Sequence, residues 1–405
     1  MDIAPERLLV VVGIHSHRVS ATVAAMHPVS GDKVVAHKAI ECRWGELSDK
    51  GRREALGEAV RMAADSAGIE PLSLFLSRSD IGFRSKIEVG WAQLGQELEI
   101  SEHERDWALR KAKEHGTGGD GEVVDAIPVS WTVRGRDGDQ EVPDPLGKRG
   151  HYLTCQALLV TARRGYRAEL AQLARGLGYE LDGVIAQPVA LYRGIQGSLP
   201  RRGSTLVIDH GACHTTFLVR RKEQLVHVET FAFGGDDLTR RIADVLEVPL
   251  DQAEQAKREI DVAAAGHRGN TEGAQQVIWT DLQERDHRRL AAARACVDAV
   301  RTFFSERARD LRDHSYLSQT GQIHLVGRAA SLAGLPAVLK EVFDLPVVIG
   351  TGEKGRAPGD EMDGLLVTGQ VRVAAAMRRA QLAEQAGSLT NRASGFWSWL
   401  KRPLE

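Results

Sequence analysis

The segment Ser204–Arg220, STLVIDHGACHTTFLVR, constrains the fold more than any other stretch of the chain. Leu206, Val207 and Ile208 lead as a buried strand to Asp209, and Gly211 then permits a tight backbone turn. Thr216, Phe217, Leu218 and Val219 resume the strand pattern. A carboxylate at the tip of a buried strand, followed by Gly and hydroxyl residues, suits a nucleotide phosphate with its Mg²⁺. In such a turn the N–H groups can bind phosphate oxygens, and a carboxylate such as Asp209 can hold the water shell of the metal. The competing reading is an ordinary hairpin that carries Asp-x-Gly.

Composition narrows the class. A chain of 405 residues is long enough for two or more domains with real cores. Its hydrophobic content of 42% and charged content of 27% are those of a globular protein. The net charge of −2 creates no field for nucleic acid, so no nucleic-acid partner is expected. Cys42, Cys155, Cys213 and Cys296 form no CxxC pair, and reduced thiols in a cytoplasmic protein are expected. The start MDIAPERLLVVVGI lacks the basic opening and long apolar run of a signal peptide. No stretch reaches the roughly 18 apolar residues of a membrane-spanning helix.

The patterning predicts strands at Leu8–Ile14, Val19–Ala25, Val34–Ile40 and Ser73–Leu76. A helix over Arg52–Ala67 puts Leu56, Val60 and Ala64 on one face. Ser101 starts a second helix with Glu104 placed for a capping box, running to about Lys113. Strands at Glu122–Val133 and Tyr152–Ala162 flank a loop over Gly135–Gly150. After a helix at Tyr166–Leu177 and a strand at Gly183–Ala186 comes the opening hairpin, then a strand at Gln224–Phe233. Helices follow at Leu238–Leu246, Leu250–Arg258 and Asp286–Leu311, with a loop over Gly266–Glu272. A strand at Gln322–Val326 and a helix at Ala333–Val342 close the pattern. Hairpins and helices recur in two similar halves, which predicts a duplicated α/β core.

The order of motifs resembles the actin-like superfamily, and within it the bacterial cell-division family FtsA. Gly13-Ile14 ends a strand where the first phosphate loop belongs, and VIDHGACHTT is similar to the second. FGGDDLTRRIADVL, Phe233–Leu246, resembles the family's Gly-Gly-x-x-Leu-Thr segment. The run with Glu254 and Lys257 resembles the family's Glu-x-x-Lys helix beside the nucleoside, and IHLVGRAASLAG resembles the adenosine loop. GEVVDAIPVSWTVRG and DPLGKRGHYLTCQALLVT resemble the inserted subdomain called 1C. The resemblance implies an actin-like duplicated α/β fold with a 1C insertion and a C-terminal amphipathic helix. It implies subdomain 1A over 1–82 and 164–200, 1C over 83–163, 2A over 201–235 and 319–378, and 2B over 236–318. The stretch 319–378 includes the return to 1A, and a flexible linker over 379–393 precedes a membrane-targeting helix over 394–405.

The tail supports the same assignment. After Gln370 the composition turns Ala-, Arg- and Gln-rich, which reads as the end of a fold and the start of a tether. In SGFWSWLKRPLE, Phe396, Trp397, Trp399 and Leu400 share one broad helix face, with Lys401 and Arg402 on the other. Such a helix suits the lipid headgroup zone; the alternative is a terminal helix docked on the protein's own core.

The resemblance also implies site roles and exposes departures. Gly13, Asp209, Gly211, Thr215, Thr216, Gly234, Gly235, Glu254, Lys257 and Gly327 fall at nucleotide-contact positions, and Asp209 at the Mg²⁺ position. Gln187 falls where actin-like ATPases position the attacking water, with a loop amide as the alternative. Glu254 and Lys257 read equally as a surface ion pair. Yet His15 and His17 replace the first loop's acid and Gly, its Lys is missing, and Arg18 is the substitute cation. Ala212, Cys213 and His214 replace Gly, Gly and Thr, and Thr216 replaces an acid. His15, His17 and His214 lack any metal-ligand spacing and read as loop substitutions. Weak or absent binding of ATP with Mg²⁺ is therefore expected, and at most slow ATPase activity.

Arg294 and Arg301 share a helix face at the place where the family receives the acidic C-terminal peptide of FtsZ; a solvated basic face is the alternative. The partners implied are FtsZ, further copies in an actin-like filament, later divisome proteins and the cytoplasmic membrane surface. The place implied is the cytoplasmic face of the bacterial inner membrane at the septum. The competing functions are an active actin-like ATPase and a PilM-like adaptor of type IV pilus assembly.

Overall fold

The computed structural model describes residues 7–27, 31–80, 82–116, 121–263, 284–350 and 363–383. These fall into two compact units. The first takes the described residues of Met1–Arg78, Arg167–Gly194 and Leu366–Glu405; the second takes those of Ser79–Tyr166 and Ile195–Leu365.

The first unit is built on a five-stranded sheet. Strand β1 (Leu8–Ile14) forms an antiparallel meander with β2 (Arg18–Ala25) and β3 (Lys33–Glu41). On its other side β1 runs parallel to β4 (Ser73–Arg78), and β4 to β9 (Glu180–Ala186). The order is therefore β3-β2-β1-β4-β9. Helix α1 (Asp49–Ala67) crosses over between β3 and β4. Its first turn is held by Ser48, whose side chain accepts from the Gly51 N–H, and its end by Gly68 in the left-handed region. Leu56, Val60 and Ala64 are all buried, as their spacing predicts.

The second unit repeats the same sheet. Strands β10 (Ser204–His210), β11 (Thr215–Arg221) and β12 (Gln224–Phe231) form the meander. Strands β13 (Thr320–Val326) and β14 (Val347–Ile349) then add in parallel, in the order β12-β11-β10-β13-β14. Two sheets of the same connectivity are the physical content of the predicted duplication. The core beneath this second sheet gathers Ile208, Phe217, Leu238, Val300, Phe304 and Leu339.

Inserted between β4 and β9 is a separate four-stranded antiparallel sheet. Its strands are β5 (Arg84–Glu99), β6 (Gly121–Gly135), β7 (Gly138–Val142) and β8 (Arg149–Arg163), in the order β5-β8-β6-β7. Helix α2 (Glu102–His115) packs on it through Ala108 and Ala112. The predicted capping box is formed, with the Ser101 N–H donating to Glu104 Oε2 at 3.0 Å. One sequence expectation fails here: the Gly135–Gly150 loop contains β7. The patterning also does not predict the long strand Arg84–Glu99. The apolar alternation of β5, Ile87, Val89 and Trp91, stops at Gln93, and Gly95 follows. Gly90 is there because a Cβ would stand 2.0 Å from the Ala108 carbonyl oxygen of α2.

The other helices are α3 (Tyr166–Arg175), α4 (Gln187–Ile195), α5 (Gly235–Leu246), α6 (Leu250–Arg258), α7 (Glu284–Asp313) and α8 (Leu335–Phe343). A final helix, α9, spans residues 363–383. Neither a tether from Gln370 nor a linker from residue 379 is seen over this span. Val371, Ala374 and Ala375 are buried, Arg378 pairs with Asp182, and Arg379 pairs with Asp32. The Ala-rich composition marks a closely packed helix rather than a polar tether. The Gly266–Glu272 loop and the Phe396–Arg402 helix lie outside the described residues. Among the described residues no helix is long and apolar enough to cross a membrane.

Candidate functional site

The β10–β11 hairpin of the second unit carries Asp209 opposite Thr216, and His210 opposite Thr215. The turn is closed by the Gly211 N–H, which donates to the His214 carbonyl at 2.8 Å. Burial alone pushes the Asp209 carboxyl up to about 7; no hydrogen bond or cation among the described residues offsets it. With no compensating partner, desolvation favours the neutral form of this carboxyl. Gly327, at the end of β13, adopts φ +99°, and a Cβ there would meet the His210 carbonyl oxygen at 2.4 Å and Asp209 Oδ1 at 2.6 Å. Its bareness serves the packing of β13 against Asp209.

The hydroxyl positions face inward. The Thr215 hydroxyl donates to the Phe233 carbonyl at 2.6 Å, and His210 Nδ1 lies 2.7 Å from the same hydroxyl oxygen. Since the Thr215 proton is already used, the His210 ring donates from Nδ1. Burial, and secondarily the charge of Lys257, pushes this imidazole down to about 3, so it is neutral. Thr216 shares a buried hydrogen bond of 3.0 Å with Thr230 of β12. Neither threonine hydroxyl is directed to a phosphate.

The Gly-Gly segment is similarly committed. The start of α5 is an anion-binding motif by geometry. Here the Gly235 N–H donates to the Gly211 carbonyl at 3.0 Å, and the Asp236 N–H to the Ala212 carbonyl at 2.8 Å. The Gly234 N–H donates to Asp237 Oδ2 at 2.8 Å. Asp236 and Asp237 also place two carboxylates in the first turn, which favours the helix dipole and repels a phosphate.

Glu254 and Lys257 of α6 form neither an exposed ion pair nor an open ribose site. Lys257 Nζ donates to Glu254 Oε2 at 2.6 Å, to Thr239 Oγ1 at 2.9 Å and to the Gly235 carbonyl at 3.1 Å. An ammonium has three protons, so all are spent. Burial pushes the Glu254 carboxyl up, but the hydrogen bonds from Lys257 and Thr239 outweigh it and hold it below the usual range. Sequence reasoning missed Thr239 and Asp237. Asp237, three residues past Gly234, is itself a capping signal.

In the first unit Gly13 lies in β1, with Ser20 Oγ, His15 Nε2 and Gln370 Nε2 crowded over its α-carbon. Gln187 opens α4 and is not a loop amide; its Oε1 is buried without a partner among the described residues. On α7, Arg294 is exposed, whereas Arg301 makes a two-pronged pair with Glu341 of α8, both bonds 2.8 Å. A groove of about 460 Å³ runs along the same helix between Phe233, Arg241, Ala295, Ala299 and Phe303.

Known proteins match this architecture in order. Residues 83–161 match the model of the SHS2 domain inserted in FtsA, and residues 206–369 match the model of cell division protein FtsA. Together the two cover more than half of the chain. The cell division protein FtsA of Streptococcus pneumoniae is 25% identical over 72% of this chain and 64% of its own length. The chain thus spans less than two thirds of that relative. The FtsA of Rhizobium meliloti is 23% identical over 86% of this chain and 80% of its own. Among solved structures, a PilM-PilN type IV pilus biogenesis complex superposes with a TM-score of 0.56 at 16% identity, covering 90% of this chain and 98% of that one, which shows a shared fold. The duplicated sheets, the inserted SHS2 domain and these matches place the chain in the cell division protein FtsA family, with an actin-like fold.

Proposed function

We propose that this protein is an adaptor of cell division that ties FtsZ filaments to the cytoplasmic face of the membrane at the septum. It holds ATP weakly or not at all. What carries this reading is that the FtsA matches run in family order through both the SHS2 insertion and the second core half. Tethering needs a partner site, a membrane contact and self-association, and needs no hydrolysis. The donors around Asp209 support a structural or lost nucleotide role. The Gly211, Gly234, Gly235 and Asp236 N–H groups and the Lys257 ammonium are all spent within the protein. These residues do not fit a tightly held triphosphate, although Asp209 fits a metal's water shell.

The membrane contact in this reading is Phe396, Trp397, Trp399 and Leu400 with Lys401 and Arg402, and filament formation multiplies a weak single contact. Arg294 is the cation offered to the acidic FtsZ peptide; Arg301 joins only by exchanging Glu341 for it. Later divisome proteins are recruited by the assembled filament.

Co-sedimentation tests the tether. With anionic vesicles and FtsZ, the full chain is expected to bring FtsZ into the pellet, and a chain ending at Ser388 to leave it in solution. Equal pelleting by both chains removes the membrane claim, and no loss on Arg294→Glu removes that residue from the FtsZ site. Calorimetry with ATP and Mg²⁺ is expected to show no tight binding. A Kd near 1 μM, about −8 kcal/mol, would instead favour a slow ATPase.

A further inference from the structure

The SHS2 insertion does not hang free of the second unit. Its two ends close on each other through Phe83 and Tyr166, whose rings lie 5.6 Å apart edge to face, with exposures of 1% and 0%. Asp80 and Arg163 pair outside them at 3.4 Å. The closed neck then docks on β12, the edge strand of the second sheet. The Thr230 N–H donates to the Phe83 carbonyl at 3.0 Å, and the Val228 N–H to Ser85 Oγ at 2.7 Å. Arg84 returns a bond to the Thr230 carbonyl at 3.0 Å and pairs with Glu229 at 3.1 Å. The insertion thereby satisfies outward N–H groups that an open edge would leave unpaired.

Thr230 faces both ways. Its backbone holds the neck, and its hydroxyl holds Thr216, the residue directly opposite Asp209. Thr216 is 7% exposed and Thr230 3%, so water does not readily replace either partner of that bond. Three contacts therefore lead from the neck of the insertion to the Asp209 turn: Phe83 to Thr230, Thr230 to Thr216, and Thr216 to Asp209.

We propose that the SHS2 insertion sets the order of the Asp209 turn through this neck. With the neck seated on β12, Thr216 is fixed and the turn is closed. With the neck lifted, Thr230 shifts, the Thr216 bond weakens and the turn opens. The regulatory meaning rests on reading that turn as the phosphate-facing loop; the mechanical link does not. The two-position element is the neck, seated or lifted.

Amide hydrogen exchange of the full chain tests this without any ligand, lipid or FtsZ, so its failure is separate from failure of the adaptor reading. Ser85→Ala removes the acceptor of the Val228 N–H, and exchange across residues 224–231 is expected to quicken about five- to tenfold, the effect of one lost hydrogen bond. Exchange across 209–216 is expected to quicken with it by at least about twofold, and Ser85→Thr, which keeps the hydroxyl, is expected to restore both. In a Thr216→Val background, Ser85→Ala is expected to loosen 224–231 alone. The proposal is overturned if 224–231 quickens while 209–216 does not. It is equally overturned if the turn still responds once Thr216 is Val. As a control, Arg134→Ala breaks the Arg134–Asp139 pair at the far β6–β7 hairpin. It should move neither segment, and a response of the turn to it would mean general loosening and defeat the idea.

Discussion

Replacing Lys257 by Met decides whether that residue is a ligand or a structural tie. In the protein its ammonium joins the carbonyl of Gly235, the hydroxyl of Thr239 and the carboxylate of Glu254. The side chains of Lys257 and Glu254 are 14% and 29% exposed, which takes the pair out of the class of surface bridges worth about 0–1 kcal/mol. One charge-assisted bond is worth about 1.5–3 kcal/mol, and the two neutral acceptors left behind add to that. A loss of about 3 kcal/mol follows, and about 2–4 °C per kcal/mol for a body of this size puts the fall in Tm at roughly 6–12 °C. Thermal unfolding at pH 7 measures it.

The pH dependence supplies a second readout of the same network. The Glu254 carboxyl is held below its ordinary 4.5, so its contribution is complete above that pH and is lost as pH falls through the lowered value. The gap between parent and variant should therefore narrow toward pH 3. A change of less than about 2 °C at pH 7 would refute the network reasoning. Loss of ATP affinity at unchanged Tm would return Lys257 to the nucleotide site.

Two further substitutions probe the turn and the insertion. Asp209→Asn should stabilise the protein increasingly from about pH 4 to pH 7 and by a constant amount above. The raised carboxyl makes the native state hold a proton that the unfolded state has lost. The full rise from 3.8 to about 7 corresponds to about 4 kcal/mol; because part of Asp209 reaches solvent, about 2 kcal/mol is the expected gain at pH 8. Chemical unfolding at pH 4 and pH 8 checks the sign, and a destabilised variant at pH 8 would show the carboxylate to be compensated. Gly90→Ala should detach α2 from the SHS2 sheet, since the new methyl meets the Ala108 carbonyl oxygen and the Ala112 nitrogen at 2.0 and 2.3 Å. Near-native proteolytic resistance of residues 84–163 would show that the helix can shift at little cost.

Elements whose burial follows a clean period were legible in the sequence. Helix α1 carries its buried residues at helical spacing, and α2 its Ser101–Glu104 box. The β10–β11 hairpin was legible because β-branched and aromatic residues flank a Gly turn. Strand β5 was not, because Gly90 answers to a helix backbone pressed against it and not to strand propensity. Helix α9 was mistaken for a tether because Ala, Arg and Gln serve a tightly packed helix as well as a polar linker. The Arg378–Asp182 pair that decides between them joins residues far apart in the chain.

By itself, the sequence determined the family and the duplicated α/β plan, since these are written in ordered motifs and in local periodicity. It located Asp209, Gly327, Glu254 and Lys257, and showed that the usual glycines and acids around them are altered. Only the tertiary structure decided what those residues do with their hydrogen bonds. Donors that look available in a string of letters are consumed by acceptors brought in from elsewhere. Lys257 is spent on Gly235 and Thr239, Arg301 on Glu341, and the edge of β12 on the neck of the SHS2 insertion. A backbone or ammonium proton serves one partner at a time, and which partner comes first is settled by the fold.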